Sequence, residues 1–111
     1  MRKMNRLYWL KQEISQIEEQ LNELSTLPDS IENLLMLRSK LDKKLIEYVE
    51  ERLAIEGIIN DIDEPEIRVI ARKRYIENKS WGTIGDEMFM DRTTAYKKLK
   101  RYENHQKGGG V

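Results

Sequence analysis

Apolar residues recur near the start of the chain at Leu7, Leu10, Ile14, Ile17, Leu21 and Leu24, in alternating steps of three and four. That spacing holds one stripe on one side of an α-helix and, sustained over several turns, makes a seam that requires a partner helix. Lys11, Glu13, Glu18, Glu19 and Glu23 lie between the seam positions and form a solvated face. The pattern stops at 25–30, where Pro28 disfavours helical geometry at Leu27 and Asp29 or Ser30 can cap the next helix. A second long helix is predicted from Ile31 to Glu56, with Gly57 just past its end. Folded back antiparallel about Pro28, the two helices set Leu24 against Ile31, Leu21 against Leu34, Ile14 against Leu41, Leu10 against Leu45 and Leu7 against Tyr48. The numbers of each pair add to the same total, and only Ile17, opposite Arg38, breaks the run. A second stripe of Leu35, Ile46, Val49 and Leu53, with Met4, Tyr8 and Trp9 near its lower part, lies beside that seam. Apolar surface left wet forgoes about 25 cal/mol per Å², so either the C-terminal part of the chain or a second copy is expected to cover it.

From 58 to 65 turn formers and acids mark a junction, and the hydrophobic spacing then predicts three short helices at about 66–77, 81–88 and 92–103. Pro65 and Glu66 suit the first turn of the first of these, Ile67, Ile70, Ala71 and Tyr75 make its inward stripe, and Asn78 can end it in left-handed geometry. In the second, Trp81, Ile84, Gly85 and Met88 share a face, and Gly85 has no side chain to hold two helices apart. After a break near Phe89 and Met90, Asp91 can cap the third helix, whose inward stripe is Ala95, Leu99 and Tyr102. Arg92, Thr93, Tyr96, Lys97, Lys100 and Arg101 fall mostly on the opposite face. A short helix, a close crossing and a second helix with a basic outer face make a helix-turn-helix. The expected architecture is all-α. A long antiparallel, coiled-coil-like hairpin (1–60) acts as an oligomerisation arm, a tri-helical head (61–104) binds DNA, and 105–111 form a flexible tail.

The 111 residues carry 20 basic and 20 acidic side chains, but the balance of zero hides a polarity. Residues 1–64 hold 9 basic and 14 acidic side chains, and residues 65–111 hold 11 and 6. An acidic arm joined to a basic head suits an anionic partner. With no cysteine and the single His105, thiol catalysis, disulfides and cysteine–histidine metal clusters lack parts. Glu18–Glu19 and Glu50–Glu51 are neighbours in sequence only, because adjacent helical residues point about 100° apart. Neither a glycine-rich loop between strand and helix nor a membrane-length apolar run is present. The expectation is a non-enzymatic, cytoplasmic protein without a cofactor or a membrane partner.

The chemistry is instead concentrated at the third head helix. Six basic residues against the single acid Glu103 lie between Arg92 and Lys107, interleaved with Tyr96 and Tyr102. Lysines near a helix C-terminus complement its dipole, which accounts for Lys100 and Arg101 without a ligand. It does not account for Arg92 at the N-terminal end, where a cation is disfavoured. Arg92 and Lys97 can reach base edges or phosphates in a major groove, with Thr93 and Tyr96 adding hydroxyls and apolar contact. Lys98, Lys100 and Arg101 lie further along and suit the phosphate backbone. Ser80 and Thr83 open the preceding helix, whose free N–H groups can hold a phosphate; an ordinary N-cap is the equal alternative for Ser80.

Residues 63–102 resemble region 4 of sigma-70-type factors, the part that reads the −35 promoter element. The matching pieces are a helix ending in Arg74-Tyr75, Ser80-Trp81 opening the second helix, Ile84-Gly85, and the basic helix of Arg92, Lys97, Lys98 and Lys100. With its helical arm, the whole chain looks like the small phage and prophage late-transcription regulators of the RinA or ArpU type. The resemblance implies double-stranded DNA as partner, a transcriptional regulator that recruits host RNA polymerase, and, since nothing else of a sigma factor is present, no promoter melting. Two positions depart from the pattern. Phe89 stands where the turn has glycine, at a cost of about 1 kcal/mol or more for positive φ, so a longer or reshaped turn is expected. Gly85 stands where alanine is usual, which fits a close crossing but weakens the helix. One head offers little surface for tight binding, so a homodimer through the hairpins is expected. Two rivals use the same parts: a DNA-packaging recognition protein resembling a small terminase subunit, and a protein-interaction module whose head docks on polymerase.

Overall fold

A computed structural model of the chain describes residues 5–27 and 31–109, with side chains to 105. It is all-helical: α1 (Arg6–Leu24) and α2 (Ile31–Asn60) make a long hairpin, followed by α3 (Pro65–Tyr75), α4 (Trp81–Met88) and α5 (Arg92–Gly109). Pro28, Asp29, Ser30 and Met4, with their expected turn, capping and stripe roles, lie outside the described residues. The chain divides into two compact units with their boundary between Leu53 and Ala54, inside α2.

In the hairpin unit Leu7, Leu10 and Ile17 of α1 are buried. On α2 the half-buried residues are Leu34, Leu37, Leu41, Lys44, Glu47, Tyr48 and Arg52, and Glu51 is buried. The α2 side of the seam is therefore apolar toward the turn and polar toward the open end, where it faces the buried Leu7 and Leu10 of α1. There Arg6 Nη1 donates to Glu51 Oε2 at 2.8 Å and Lys44 pairs with Glu13 at 3.2 Å, both across the two helices. This corrects two of the paired positions. Leu45 and Ile31 are exposed, so neither meets its expected partner in a buried contact. The steps of three and four fix α1's inward stripe, but on α2 they run on through Lys44 and Tyr48, whose long stems cover the seam while the Lys44 ammonium pairs with Glu13.

The head has its own core of Ile55, Ile59, Ile62, Ile67, Ile70, Ala71, Ile84, Ala95 and Leu99, all buried. Its first three members explain why α2 does not stop at Glu56. Gly57 carries the helix on to Asn60, because burying Ile55 and Ile59 on one face outweighs the roughly 1 kcal/mol that a mid-helix glycine costs. The predicted junction at 58–65 thus shrinks to 61–64. Glu64 has extended backbone geometry and Pro65 occupies the first turn of α3, while Arg68 Nη1 donates to Ile62 O at 2.9 Å. Asn78 has φ 57°, the left-handed position expected of it, and the Lys79 N–H reaches back to Lys73 O at 2.9 Å. At the other end α5 passes 103 and runs to Gly109. The helix overruns the first part of the predicted tail because Asn104-His105-Gln106-Lys107 contains no proline to stop it.

The turn between α4 and α5 is short, not lengthened. Phe89 takes φ 57° and ψ 43°, and Met90 N–H closes on Gly85 O at 2.9 Å, so a bulky residue bears the left-handed geometry itself. Its ring is 96% exposed and contributes no packing in return. Phe89→Gly is therefore expected to raise the head's stability by up to about 1 kcal/mol, the relieved strain exceeding the extra unfolded-state freedom of glycine. Thermal unfolding by circular dichroism reads this, and a lowered midpoint would show that the ring packs.

Candidate nucleic-acid interface

Two caps set the start of the helix pair. Ser80 Oγ accepts from Thr83 N–H at 3.2 Å and lies 3.0 Å from Thr83 Oγ1, so Ser80 takes the N-cap role and occupies one of the N–H groups that a phosphate would use. Asp91 Oδ2 accepts from Thr93 N–H at 3.0 Å and starts α5 as the sequence predicts. The crossing itself is set by Gly85. A Cβ there would stand 2.7 Å from Met90 O and 2.9 Å from Arg92 N, distances no real Cβ adopts. This brings the first turn of α5 against α4 and, with Ala95 and Leu99 buried, turns the rest of α5 outward.

One row on α5 is committed to the head. Arg74 lies over the Trp81 ring at 5.0 Å, Trp81 meets Tyr96 edge to face at 5.3 Å, and Lys100 lies 5.7 Å above Tyr96. Lys100 also pairs with Glu103 at 3.3 Å, and Tyr75 Oη donates to Glu103 Oε1 at 2.5 Å. These contacts link α3, α4 and α5. Burial, reinforced by the hydrogen bond to Glu103, pushes the Tyr75 hydroxyl well above its ordinary value, so it stays a donor throughout the physiological range. Sequence reasoning misses Arg74, Tyr75 and Glu103 as members of this row. The one available signal is Glu103, a lone acid among six bases.

Other cations are matched locally. Lys73 and Lys79 both reach Glu87, at 2.7 and 2.8 Å, and Lys79 also pairs with Glu77 at 3.0 Å. The hydrogen bond from Lys73, then that from Lys79, holds the Glu87 carboxyl below the usual range, and the Glu87 bond raises Lys79. Arg72 pairs with Glu56 at 2.8 Å. Lys98 pairs with Glu66 of α3 at 2.8 Å and so is turned away from the backbone-contact role that its position suggested.

The remaining cations form a specific set. Among the described residues of the head, Arg92, Lys97 and Arg101 are exposed cations with no ion pair or side-chain hydrogen bond, and all three project from α5. Thr93 is exposed beside them, and Tyr96 and Lys100 border them on the side of Trp81. Ser80 and Thr83 lie at the start of α4. No group of three His, Cys, Asp or Glu side chains among the described residues is placed to hold a metal ion. No helix among them is long and apolar enough to cross a membrane. A family model described as "Protein of unknown function (DUF1492)" matches residues 27–106. No curated protein and no solved structure matches the chain.

Proposed function

The chain belongs to that family of unknown function, DUF1492, and from the geometry of its head we propose that it binds double-stranded DNA sequence-specifically as a transcriptional regulator. The observation that carries the reading is the sorting of charge: the other described cations of the head are engaged by carboxylates or carbonyls, and the three that are not share one helix. Exposed charge on one helix with no carboxylate to match it suits an anionic partner. α5 is long enough to lie in a major groove. Arg92 and Lys97, in its first two turns, are offered to base edges, while Arg101 and Lys100 lie beside a strand. Thr93 and Tyr96 add hydroxyls, and Ser80 and Thr83 border the phosphates that flank α4. The resemblance to sigma region 4 extends the reading to a cytoplasmic, phage-type regulator of the RinA or ArpU kind that recruits host RNA polymerase, with two heads brought together by pairing of the hairpins.

The test is selection of bound duplexes from a random DNA pool by the full chain, with titration of the enriched site at several salt concentrations. A defined site is expected, with a log–log salt slope of about −2 for one bound head, from Arg101 and Lys100, and about twice that for two, since each neutralised phosphate contributes about −0.9. No enrichment and no shift of any duplex at low salt would overturn DNA binding and leave the interaction-module reading. Ring-sized assemblies would turn the reading toward packaging.

A further inference from the structure

α2 carries a stripe that the hairpin does not cover. Ile31, Leu35, Leu45 and Val49 are exposed, and between them on the same side stand Arg38 and Asp42, also exposed. At about 100° per residue the six positions fall within an arc of roughly 80°. Neither Arg38 nor Asp42 has an ion pair or a hydrogen-bonded side-chain partner among the described residues. Most informative is the order of the stripe. Read from Ile31 to Val49, the steps are four, three, four, three and four, the same in both directions, with apolar residues outside and the opposite charges in the middle.

We propose that this face is the contact between two copies of the chain, and that α2 packs antiparallel on α2 of a second copy about a two-fold axis at the level of residue 40. A two-fold contact demands that if one position meets another, the second also meets the first. A stripe with reversible spacing satisfies this with no gap. Leu35 of each copy meets Leu45 of the other, Ile31 meets Val49, and Arg38 meets Asp42 twice. Shifting one helix by a turn in either direction brings a charge against an apolar residue or sets Asp42 against Asp42. The two central charges thus fix the register as well as attract. A different protein of acidic or basic character would satisfy only one of the two charges, whereas a second copy satisfies both. The proposal rests on the reading that the hairpins pair and adds which helix, which direction and which register.

Sedimentation equilibrium of the full chain and of Arg38→Asp, Asp42→Arg and the double variant tests it, with helicity checked by circular dichroism. Each single variant places like charges at both central contacts, so its self-association is expected to weaken by about tenfold or more. The double variant recreates both pairs with reversed polarity and should regain the original dimer. A one-to-one mixture of the two single variants should also dimerise, because one copy then presents two acids and the other two bases. A wild-type chain that stays monomeric would overturn the pairing of hairpins altogether. A wild-type dimer that is indifferent to both single changes would retain the pairing and overturn this register, and DNA selection reports separately on the head.

Discussion

Replacing Gly85 by alanine is expected to lower the stability of the head by about 2 kcal/mol, a fall in melting temperature of roughly 10 °C for a unit of this size. Alanine is the better helix former by about 1 kcal/mol, so helix propensity alone predicts the opposite sign. The added methyl would sit 2.7 Å from the Met90 carbonyl oxygen and 2.9 Å from the Arg92 nitrogen, and both are backbone atoms of the turn. No rotamer change relieves a clash with backbone. Either Met90 N–H loses its bond to Gly85 O, or the first turn of α5 moves away from α4. Gly57→Ala is the matched control, since a Cβ at that helical glycine meets nothing within 4 Å and the change should stabilise by up to about 1 kcal/mol. Equal and positive effects at both glycines would mean that the crossing is looser than described. Movement at Arg92 would also displace the proposed DNA contact, so binding should fall with stability at Gly85 and remain unchanged at Gly57.

The second large effect separates base reading from phosphate holding. Arg92→Ala or Lys97→Ala is expected to cost about 1–3 kcal/mol on the preferred duplex and to flatten preference at one or two base pairs. Arg101→Ala should weaken all duplexes alike and reduce the salt slope by about one unit. By its position in the sequence Lys100 should behave as Arg101 does. Its pairing with Glu103 and its place above Tyr96 give a different outcome, a smaller change in slope together with a loss of head stability. Titrating each variant against preferred and scrambled duplexes distinguishes these cases. Equal losses on both duplexes for Arg92→Ala and Lys97→Ala would reduce the interface to non-specific binding.

The helices and their inward residues are legible in the sequence because burial and periodicity agree there. Leu7, Leu10, Ile17, Ile67, Ile70, Ala71, Ile84, Ala95 and Leu99 all fall on the expected inward stripes, and all are buried. Helix ends are less legible, since a glycine or a polar run signals an end only when nothing beyond it has something to bury. Ile59 overrides Gly57, and nothing stops α5 before its final glycines. The burial of Glu51 is not legible, because a carboxylate on a helix gives no sign that an arginine forty-five residues earlier will reach it. The outer face of α5 is legible as a set of cations. Lys100 and Glu103, three apart on one helix, are legible as a pair, whereas the pairing of Lys98 depends on Glu66 of α3 coming close in three dimensions, and no one-dimensional pattern carries that.

The edge-to-face contact of Trp81 with Tyr96, with Arg74 across the indole, also has an optical consequence. The chain holds two tryptophans, and Trp9 is exposed beside Tyr8. Once Trp9 is changed to phenylalanine, all indole emission comes from the border of the proposed interface. A guanidinium and a phenol in contact with that ring make its wavelength and yield depend on where those groups lie. Anything that draws Arg74 or Tyr96 toward an anion therefore changes the colour or brightness of the protein itself, and occupancy of the head can be followed in solution without attaching a dye.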